Sequence, residues 1–478
     1  MLSGSGTRTV PTTQPTTAAP GPILVPATAA EIDSAIQAAV QARRNWRHTK
    51  PSERAAALRA AANVIRADAE ELGNFLSAST GRLLAQARDS AVVAAELLDE
   101  AAVSGLLDSG RSLAGDSLAM DTVRREPRGV IAVLTPWNDP YPAAAGLIAA
   151  ALITGNTIVH KPSERSATPG FELASRIAGC LPDGVLNILT GDGEVGAALA
   201  QDARVDVVAH IGSSETGRRI AAAVGARGGR VLLENGGKDP ILVDAGVDPR
   251  WAAEQIAIGA FTNTGQLCTS VERIYLHAEV AEEVLAELVT VAERLVVGDP
   301  GDPATELGPL VDERQLTVVC DQVDAAIRAG ARCLTGGRQL ERPGYYYPPT
   351  VLTGCTEQMA VLTQETFGPV AAVQVVHDFD EGLRRAEAGD YGLAATVLTL
   401  DLEHALRAAD ELDVGTVKIN AVFGGAPGGS ADPRRASGSG PGFGPALIGE
   451  FTCLKAVHLE AARLATRQTP PVRPEAPE

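Results

Sequence analysis

The sequence predicts an α/β protein in which helices cover mostly parallel sheets. Between about residues 135 and 245, short apolar strands alternate with alanine-rich helices, and a second α/β pattern runs from about 251 to 430. Such alternation is typical of parallel sheets. The hydrophobic content of 45% and the 49 glycines also fit this class. Because 478 residues are too many for one ordinary core, we expect two or three domains.

The first hundred residues contain a polar tail and a helical region. Residues 1–20 are rich in Thr, Pro, Ser and Gly, and they lack the charged and apolar segments of a secretory signal. They predict a disordered tail. Residues 29–108 are rich in Ala, Arg and Glu with helical periodicity. Within them, Pro51-Ser52-Glu53-Arg54 indicates the start of a helix.

Short apolar segments predict the strands of the first sheet. Residues 118–135 switch to a strand pattern, and Gly129–Leu134 is apolar and rich in β-branched residues. The further strand candidates are Thr157–His160, Val185–Leu189, Val205–Ile211, Val231–Leu233 and Ile241–Val243.

The charge and the hydropathy pattern exclude several kinds of partner. A net charge of −18 and a sequence pI of about 4.9 argue against nucleic acid or an anionic membrane as the main partner. No uninterrupted apolar run is long enough to span a bilayer. Ala143–Ile153 comes closest and predicts a buried helix.

The cysteines and histidines indicate neither a metal site nor a disulfide framework. The six cysteines are scattered without a CxxC pair, and the seven histidines form no HxxxH or HxH pair. A reducing cytoplasm is therefore the expected location.

One cysteine lies in a setting suited to chemistry. Cys268 ends the polar, glycine-containing segment Phe261–Cys268, just before the apolar run Val271–Leu276. Upstream, Glu234 ends an apolar strand and a Gly-Gly turn follows. A thiol nucleophile and a carboxylate base are the two groups that acyl transfer through a thioester needs.

Polar residues also follow two strands of the first predicted sheet. Asn138 follows Gly129–Leu134, where its amide could donate to a developing oxyanion; an asparagine that merely caps a turn is the alternative. Lys161 and Glu164 follow the next strand and could meet a phosphate or ribose. A solvated strand end explains them equally well on local sequence.

Two glycine-containing segments are candidates for phosphate binding. Gly191–Gly196 has the spacing GxGxxG but lacks the acid expected about 20 residues on, so it does not support an ordinary dinucleotide fingerprint. Gly212–Gly217 is the better candidate, because it follows a strand and opens a helix.

The segment Glu365–Val370 places an acid and an aromatic ring before another strand. Local sequence is compatible with a structural turn and with a ribose-binding site.

Together these segments closely resemble the NAD(P)-dependent aldehyde dehydrogenase superfamily over roughly residues 25–465. The segments that carry the resemblance are Pro136-Trp137-Asn138, Lys161-Pro162-Ser163-Glu164, Gly212-Ser213 with Gly217, Glu234 with Gly236-Gly237-Lys238, Gly265-Gln266-Leu267-Cys268, Glu365-Thr366-Phe367-Gly368-Pro369 and Tyr391-Gly392-Leu393-Ala394. All of them in sequence order make a specific match.

The resemblance implies a role for each candidate. Cys268 would be the nucleophile and Glu234 the general base, while Asn138 and the Cys268 backbone N–H would form the oxyanion hole. The implied cofactor-binding residues are Lys161, Ser163, Glu164, Gly212, Ser213, Glu365 and Phe367. Of these, Lys161 and Glu164 would hold the adenosine ribose, Ser213 the pyrophosphate and Glu365 the nicotinamide ribose, with Phe367 beside it.

The resemblance also implies an architecture and an activity. A dinucleotide-binding domain would comprise 21–108 and 128–236, a catalytic domain 237–433, and a small β oligomerisation element 109–127 and 446–468. The expected reaction is oxidation of an aldehyde to a carboxylic acid with NAD, NADP being possible, by a homodimer or homotetramer. The alternatives are a CoA-acylating aldehyde dehydrogenase and a catalytically silent binding protein of the same fold. Glu234 argues against the first, and the intact Cys268, Glu234 and Asn138 argue against the second.

The sequence departs from the family pattern at three places. Asn235 and Asp139 stand where the family usually has apolar residues. The loop Ser430–Ala436 separates Gly429 from Ser437 and is longer than usual by four residues.

Overall fold

Helices dominate the first hundred residues, and strands alternate with helices thereafter. The computed structural model describes residue 5 and residues 7–107, 110–115, 119–424 and 429–460. In these ranges the helices are α1 (Ala29–Trp46), α2 (Pro51–Ala67), α3 (Ala69–Thr80), α4 (Leu84–Ser104), α5 (Pro140–Ile153), α6 (Ala167–Ala178), α7 (Gly193–Gln201), α8 (Ser214–Ala226), α9 (Pro249–Phe261), α10 (Ala281–Arg294), α11 (Glu313–Arg328), α12 (Ala360–Thr363), α13 (Phe379–Glu387), α14 (Leu402–Glu411) and α15 (Ala446–Glu450). The strands are β1 (Gly110–Leu113), β2 (Ala119–Pro127), β3 (Val130–Thr135), β4 (Thr157–Pro162), β5 (Leu186–Ile188), β6 (Val207–Ile211), β7 (Arg230–Glu234), β8 (Asp239–Val243), β9 (Val271–His277), β10 (Arg332–Thr335), β11 (Thr350–Thr353), β12 (Val370–Val376), β13 (Tyr391–Gly392), β14 (Ala394–Leu398), β15 (Thr416–Ile419), β16 (Arg434–Arg435), β17 (Gly438–Ser439) and β18 (Thr452–Glu460).

The first sheet has the strand order β17-β7-β6-β3-β4-β5. Its strands are parallel except for β17, which is antiparallel to β7. Every residue of β3 and β4 is buried, because α1, α7 and α8 cover one face of the sheet and α2 to α6 the other. Strands covered on both faces are continuously apolar rather than alternating, which is the pattern in the sequence.

The second sheet has the order β10-β11-β12-β9-β8-β14-β15 and is parallel apart from the β10–β11 pair. Helices α9 and α10 cover one face; α11 to α14 pack on the other. Two helix-covered, mostly parallel sheets confirm the predicted α/β class; a three-stranded antiparallel sheet and the antiparallel pair β13–β16 complete the sheets of the described residues.

The small antiparallel sheet has the order β1-β2-β18. Its strands are mostly exposed or half-buried. It falls in the two segments expected to form an oligomerisation element, of which residues 109, 116–118 and 461–468 lie outside the described part. The start of the second segment differs from the expectation: α15 belongs with the first unit, since Leu447 and Phe451 pack in the core between α4 and α5.

The prediction of a disordered tail over residues 1–20 is corrected by the structure for the residues described. Val10 pairs with Leu24 and Thr13 with Pro20. The Pro15 carbonyl accepts from the Tyr345 amide at 2.9 Å. A polar segment that cannot build its own core is ordered here because its backbone finds hydrogen-bond partners on the rest of the protein.

Helix α5 contains the longest apolar run of the sequence. All its residues except Pro142 are buried, as expected of a core helix. Among the helices of the described ranges, none has both the length and the apolar character needed to cross a membrane.

Candidate active site

The loop before Cys268 has an uncommon backbone. After α9, the residues Asn263, Thr264 and Gly265 have φ values of 51°, 59° and 69°. A β-branched residue seldom adopts this left-handed conformation, and here the Thr264 hydroxyl is held by the Gly308 carbonyl at 3.0 Å. A Cβ at position 265 would collide with the Gly368 carbonyl oxygen. The loop is therefore fixed, and it lies against the segment that contains Glu365.

Asn138 contacts this loop. It follows β3, and its buried amide Nδ2 donates to the Gln266 carbonyl at 3.0 Å. Asn263 donates to the same carbonyl at 3.2 Å. The structure thus brings Asn138 within two residues of Cys268. The second N–H of its amide donates to no residue in the described ranges and can act as a donor to a ligand.

Cys268 is accessible to solvent but has protein around it on most sides. Burial raises the pKa of its thiol to about 12, and the carboxylates of Glu234, Asp239, Glu365 and Asp139 act in the same direction. At neutral pH the thiol is protonated in this surrounding, so formation of the thiolate needs a base or a positive charge.

Glu234 ends β7 and is held between two neighbouring strands. Its backbone pairs with Ile211 on one side and with Gly438 on the other. A Cβ at Gly442 would lie 2.6 Å from its Oε1 atom, so only glycine leaves space for this carboxyl group. Burial raises the pKa of Glu234 to about 8, with a contribution from Asp432 and an opposing backbone contact from Gly442.

Asn235 and Asp139, the two departures from the family pattern, both have structural partners. The Asn235 amide donates to the Ala436 carbonyl at 3.2 Å and so anchors the long loop Ser430–Ala436. Asp139 forms an ion pair with Arg82 at 2.8 Å and accepts from Ser90.

Glu365 lies against the Gly-Gly turn that follows Glu234. Its Oε1 accepts from the Gly237 amide at 3.1 Å. Burial raises the pKa of Glu365 to about 8, as does the nearby Glu272, whereas the Gly237 amide and Lys238 lower it. Phe367 packs edge-on against Trp137 with ring centroids 5.4 Å apart.

A buried ion pair between Lys238 and Glu272 holds this segment, and the sequence analysis missed it. The Glu272 carboxylate accepts from the Thr366 and Phe367 amides at 2.7 and 2.9 Å. Lys238 donates to the Thr366 hydroxyl at 3.0 Å and pairs with Glu272. The sign of this ion pair in the sequence was the charged residue Glu272 at the start of the buried strand β9.

Lys161, Ser163 and Glu164 form a second group at the end of β4. The buried Lys161 ammonium donates to the Pro162 and Gly191 carbonyls, each at 2.9 Å. Its Nζ lies 3.9 Å from a Glu164 carboxylate oxygen. Ser163 caps the short helical turn that contains Glu164.

Gly212 and Ser213 open helix α8. The Gly212 amide donates to the Glu234 carbonyl at 2.9 Å, which joins this turn directly to the strand of Glu234. Ser213 caps the helix by accepting from the Thr216 amide. Beside it, the buried Ser214 hydroxyl and both ring nitrogens of His210 have no hydrogen-bond partner among the described residues.

These residues fit a dinucleotide. A helix N-terminus with an unpaired buried hydroxyl suits a pyrophosphate, and a lysine–carboxylate pair suits ribose hydroxyls. The segment Gly191–Gly196 contributes to this group only through its structural contacts. The Gly191 carbonyl accepts from Lys161, and Asp192 caps α7 and pairs with Arg8.

The fold and the site define an α/β oxidoreductase with an accessible cysteine among carboxyl groups. The model of the aldehyde dehydrogenase family matches residues 2–457. The chain belongs to the aldehyde dehydrogenase family, which confirms the predicted family and its NAD(P)-dependent activity.

Three relatives illustrate the match. The chain is 39% identical over 400 residues to an alpha-ketoglutarate semialdehyde dehydrogenase of Haloferax volcanii, covering 81% of each chain. The crystal structure of an NAD-dependent aldehyde dehydrogenase from Sinorhizobium meliloti superposes with a TM-score of 0.93 at 32% identity, over 98% of this chain and 94% of that one. The crystal structure of a betaine aldehyde dehydrogenase from Staphylococcus aureus in complex with NAD+ superposes with a TM-score of 0.93 at 26% identity, over 98% of this chain and 94% of that one.

Proposed function

We propose that this protein oxidises an aldehyde to its carboxylic acid through a thioester on Cys268, which water hydrolyses with Glu234 as base. The observation that carries the proposal is the placement of one accessible thiol in a rigid loop that Asn138 contacts. The Glu234 carboxyl group lies within electrostatic range of that thiol.

The first half of the reaction is addition to the aldehyde. The Cys268 thiolate forms a bond to the carbonyl carbon, and the carbonyl π electrons move to oxygen. The free N–H of Asn138 and the Cys268 amide donate to that oxyanion, a contribution that strengthens as charge develops. When bound, NAD supplies the acceptor for the hydride that leaves this carbon.

The second half is hydrolysis of the thioester. Glu234 takes a proton from water as the water oxygen attacks the acyl carbon. The carbon–sulfur bond then breaks, the Cys268 thiolate leaves and the carboxylic acid is released. The raised pKa of Glu234 places its titration near the pH at which it must accept a proton.

For the cofactor we propose NAD in preference to NADP. Lys161, Ser163 and Glu164 would hold the adenosine ribose, Gly212 and Ser213 the pyrophosphate, and Glu365 with Phe367 the nicotinamide ribose. Glu164 would accept from the ribose hydroxyls, whereas a 2′-phosphate there would meet a like charge. The NAD-dependent relatives support this choice.

The assembly that we propose is a homodimer or homotetramer formed through the small sheet of β1, β2 and β18. Its exposed edge strands favour pairing with another copy. The six free cysteines support the expectation of a reducing compartment such as the cytoplasm.

An aldehyde panel tests the proposed function. Short aliphatic, aromatic and carboxylated aldehydes are offered with NAD, and NADH formation and the released product are measured. We expect NADH with a stoichiometric amount of free acid, and no turnover by Cys268→Ala with NAD binding retained. Faster release of acyl-CoA than of free acid in the presence of CoA would instead favour the CoA-acylating reaction, and no NADH with any aldehyde would favour a silent binding protein.

A further inference from the structure

The charges around Cys268 oppose the thiolate that the proposed reaction needs. Burial raises the pKa of the Cys268 thiol most, and the carboxyl groups of Glu234, Asp239, Glu365 and Asp139 raise it further. Carboxyl groups on several sides and a partly enclosed sulfur give the thiolate no positive partner, so its stabilisation requires a cation on another element.

Strand β15 supplies such a cation. Val417 and Ile419 pack into the core beneath α13 and α14, so the intervening Lys418 points to the opposite face of the sheet. Lys418 is in register with Thr396, which is in register with Ile241. Ile241 packs with helix α9, the helix that leads into the cysteine loop.

The same face carries the groups nearest to Cys268. Asp239 precedes Ile241 by two residues and so points to the same side of β8. A Cβ at Gly237 would lie 2.6 Å from the Cys268 carbonyl oxygen and 2.9 Å from Asp239 Oδ1. Lys418, Asp239 and the cysteine loop therefore converge at one place.

The Lys418 ammonium is half-buried and makes no hydrogen bond or ion pair with any described residue. Its Nζ lies 5.5 Å from the centre of the Phe423 ring. Asp239 does not neutralise it by contact: Oδ1 accepts from the Ala394 amide at 3.1 Å, and Oδ2 has no partner in the described ranges. Burial lowers the pKa of Lys418, while Asp239 and Cys268 raise it. A partly buried charge without a partner is costly, and thiolate formation at Cys268 would give it one.

We propose that Lys418 is a positioning residue that stabilises the Cys268 thiolate electrostatically. This inference rests on the proposed nucleophilic role of Cys268. Lys418 stays protonated throughout; the proton that leaves sulfur goes to Glu234 or to solvent, and no electron transfer is involved. The charge on Lys418 acts against the effects of burial and of the neighbouring carboxyl groups, and so lowers the pH at which the thiolate forms.

Alkylation of the thiol tests the proposal without any aldehyde. The rate at which iodoacetamide modifies Cys268 is measured by intact mass between pH 6.5 and 9.5. The Cys268→Ala variant gives the alkylation of the other cysteines, which is subtracted. Lys418→Met should slow the reaction about tenfold at each pH below the thiol pKa, the order of magnitude for loss of one nearby charge. Lys418→Arg should keep the rate within about threefold, and the exposed Lys50→Met should leave it unchanged.

Two outcomes overturn the inference. Equal alkylation rates in wild type and Lys418→Met would show that the charge does not act on sulfur. Equal alkylation with a selective rise in KM for carboxylated aldehydes would make Lys418 a substrate-binding residue instead. Lys418→Gln repeats the test if the Met variant does not fold, as judged by its thermal unfolding. A wild type that is alkylated normally but oxidises no aldehyde would contradict the proposed function alone.

Discussion

Glu234 combines the two properties that a base for thioester hydrolysis needs at residue scale. Its backbone is paired on both sides, so its position is rigid, and burial raises its pKa to about 8. Below that pH the carboxyl group is mostly protonated and cannot accept a proton from water. Gly442 keeps it in place by leaving space that any side chain would fill.

The pH dependence of hydrolysis follows from this pKa. When deacylation limits turnover, the rate should rise with pH through about 8, because the fraction of ionised Glu234 rises. Glu234→Gln should lower steady-state turnover by ~10²–10⁴-fold, the usual contribution of a general base, and acyl-enzyme should accumulate on Cys268. Intact mass after a single turnover checks this; hydrolysis at the wild-type rate would mean that Glu234 is structural.

The choice between NAD and NADP is a second prediction at residue scale. Glu164 lies 3.9 Å from the Lys161 ammonium, which holds its carboxylate beside the expected ribose. We expect kcat/KM to be at least about tenfold higher with NAD, since one like-charge contact contributes on this order. Glu164→Gln should narrow the difference and Glu194→Gln, at an exposed position, should not. Equal kcat/KM for the two cofactors in wild type would reject the assignment.

At the scale of elements, the protein fixes irregular segments by buried polar contacts. Phe367 has a φ of 55°, a conformation that costs a non-glycine residue on the order of 1 kcal/mol or more. Glu272 on β9 offsets this cost by accepting from the Thr366 and Phe367 amides. Lys238 on the turn before β8 neutralises that carboxylate. The position of Glu365 therefore depends on a strand and a turn that do not belong to its own segment.

Glu272→Gln tests this dependence. The substitution leaves Lys238 buried without its partner, so unfolding should become easier by about 3 kcal/mol. The KM for NAD should also rise roughly tenfold as the 365–368 segment loosens, on the order of the binding energy of one hydrogen bond. Chemical denaturation and steady-state kinetics measure the two effects. The control is Glu411→Gln, which breaks a surface pair with Arg407 and should cost less than about 0.5 kcal/mol. Equal behaviour of the two variants would contradict the argument.

At the scale of the whole molecule, the sheet of β1, β2 and β18 stands out from two well-buried units. Met120, Leu454 and Leu459 are 52%, 60% and 55% exposed on it. A small sheet with so little burial contributes little stability alone. Contact with a second copy would cover its edges and its apolar side chains.

Light scattering at micromolar concentration tests this assembly. We expect a mass that is a multiple of about 49 kDa. Leu454→Lys should shift the distribution towards the single chain, because a charge would then lie in an apolar contact. The control is Lys455→Gln, next to Leu454 on the same strand, where Lys455 pairs with Glu126 at the surface. This variant should shift the mass distribution far less. A wild-type mass of one chain would reject the proposal.

Much of the fold was predictable from the sequence because its strands are buried on both faces. A strand such as Val130–Thr135 must be continuously apolar wherever it lies in the chain, so local composition locates it. The motif residues near Cys268 and Glu234 were recognisable for a similar reason: glycines and small polar residues allow close backbone approach, and that requirement is local.

What only the tertiary structure decided concerns partners that are distant in sequence. Residues 7–20 look disordered by composition, yet the Pro15 carbonyl accepts a hydrogen bond from Tyr345, more than 300 positions away. The partner of Lys238 is on another strand, and the approach of Lys418 to the cysteine loop depends on the order of β8, β14 and β15 in one sheet. Periodicity along a chain specifies which face a residue takes, but strand order and loop packing determine what that face meets.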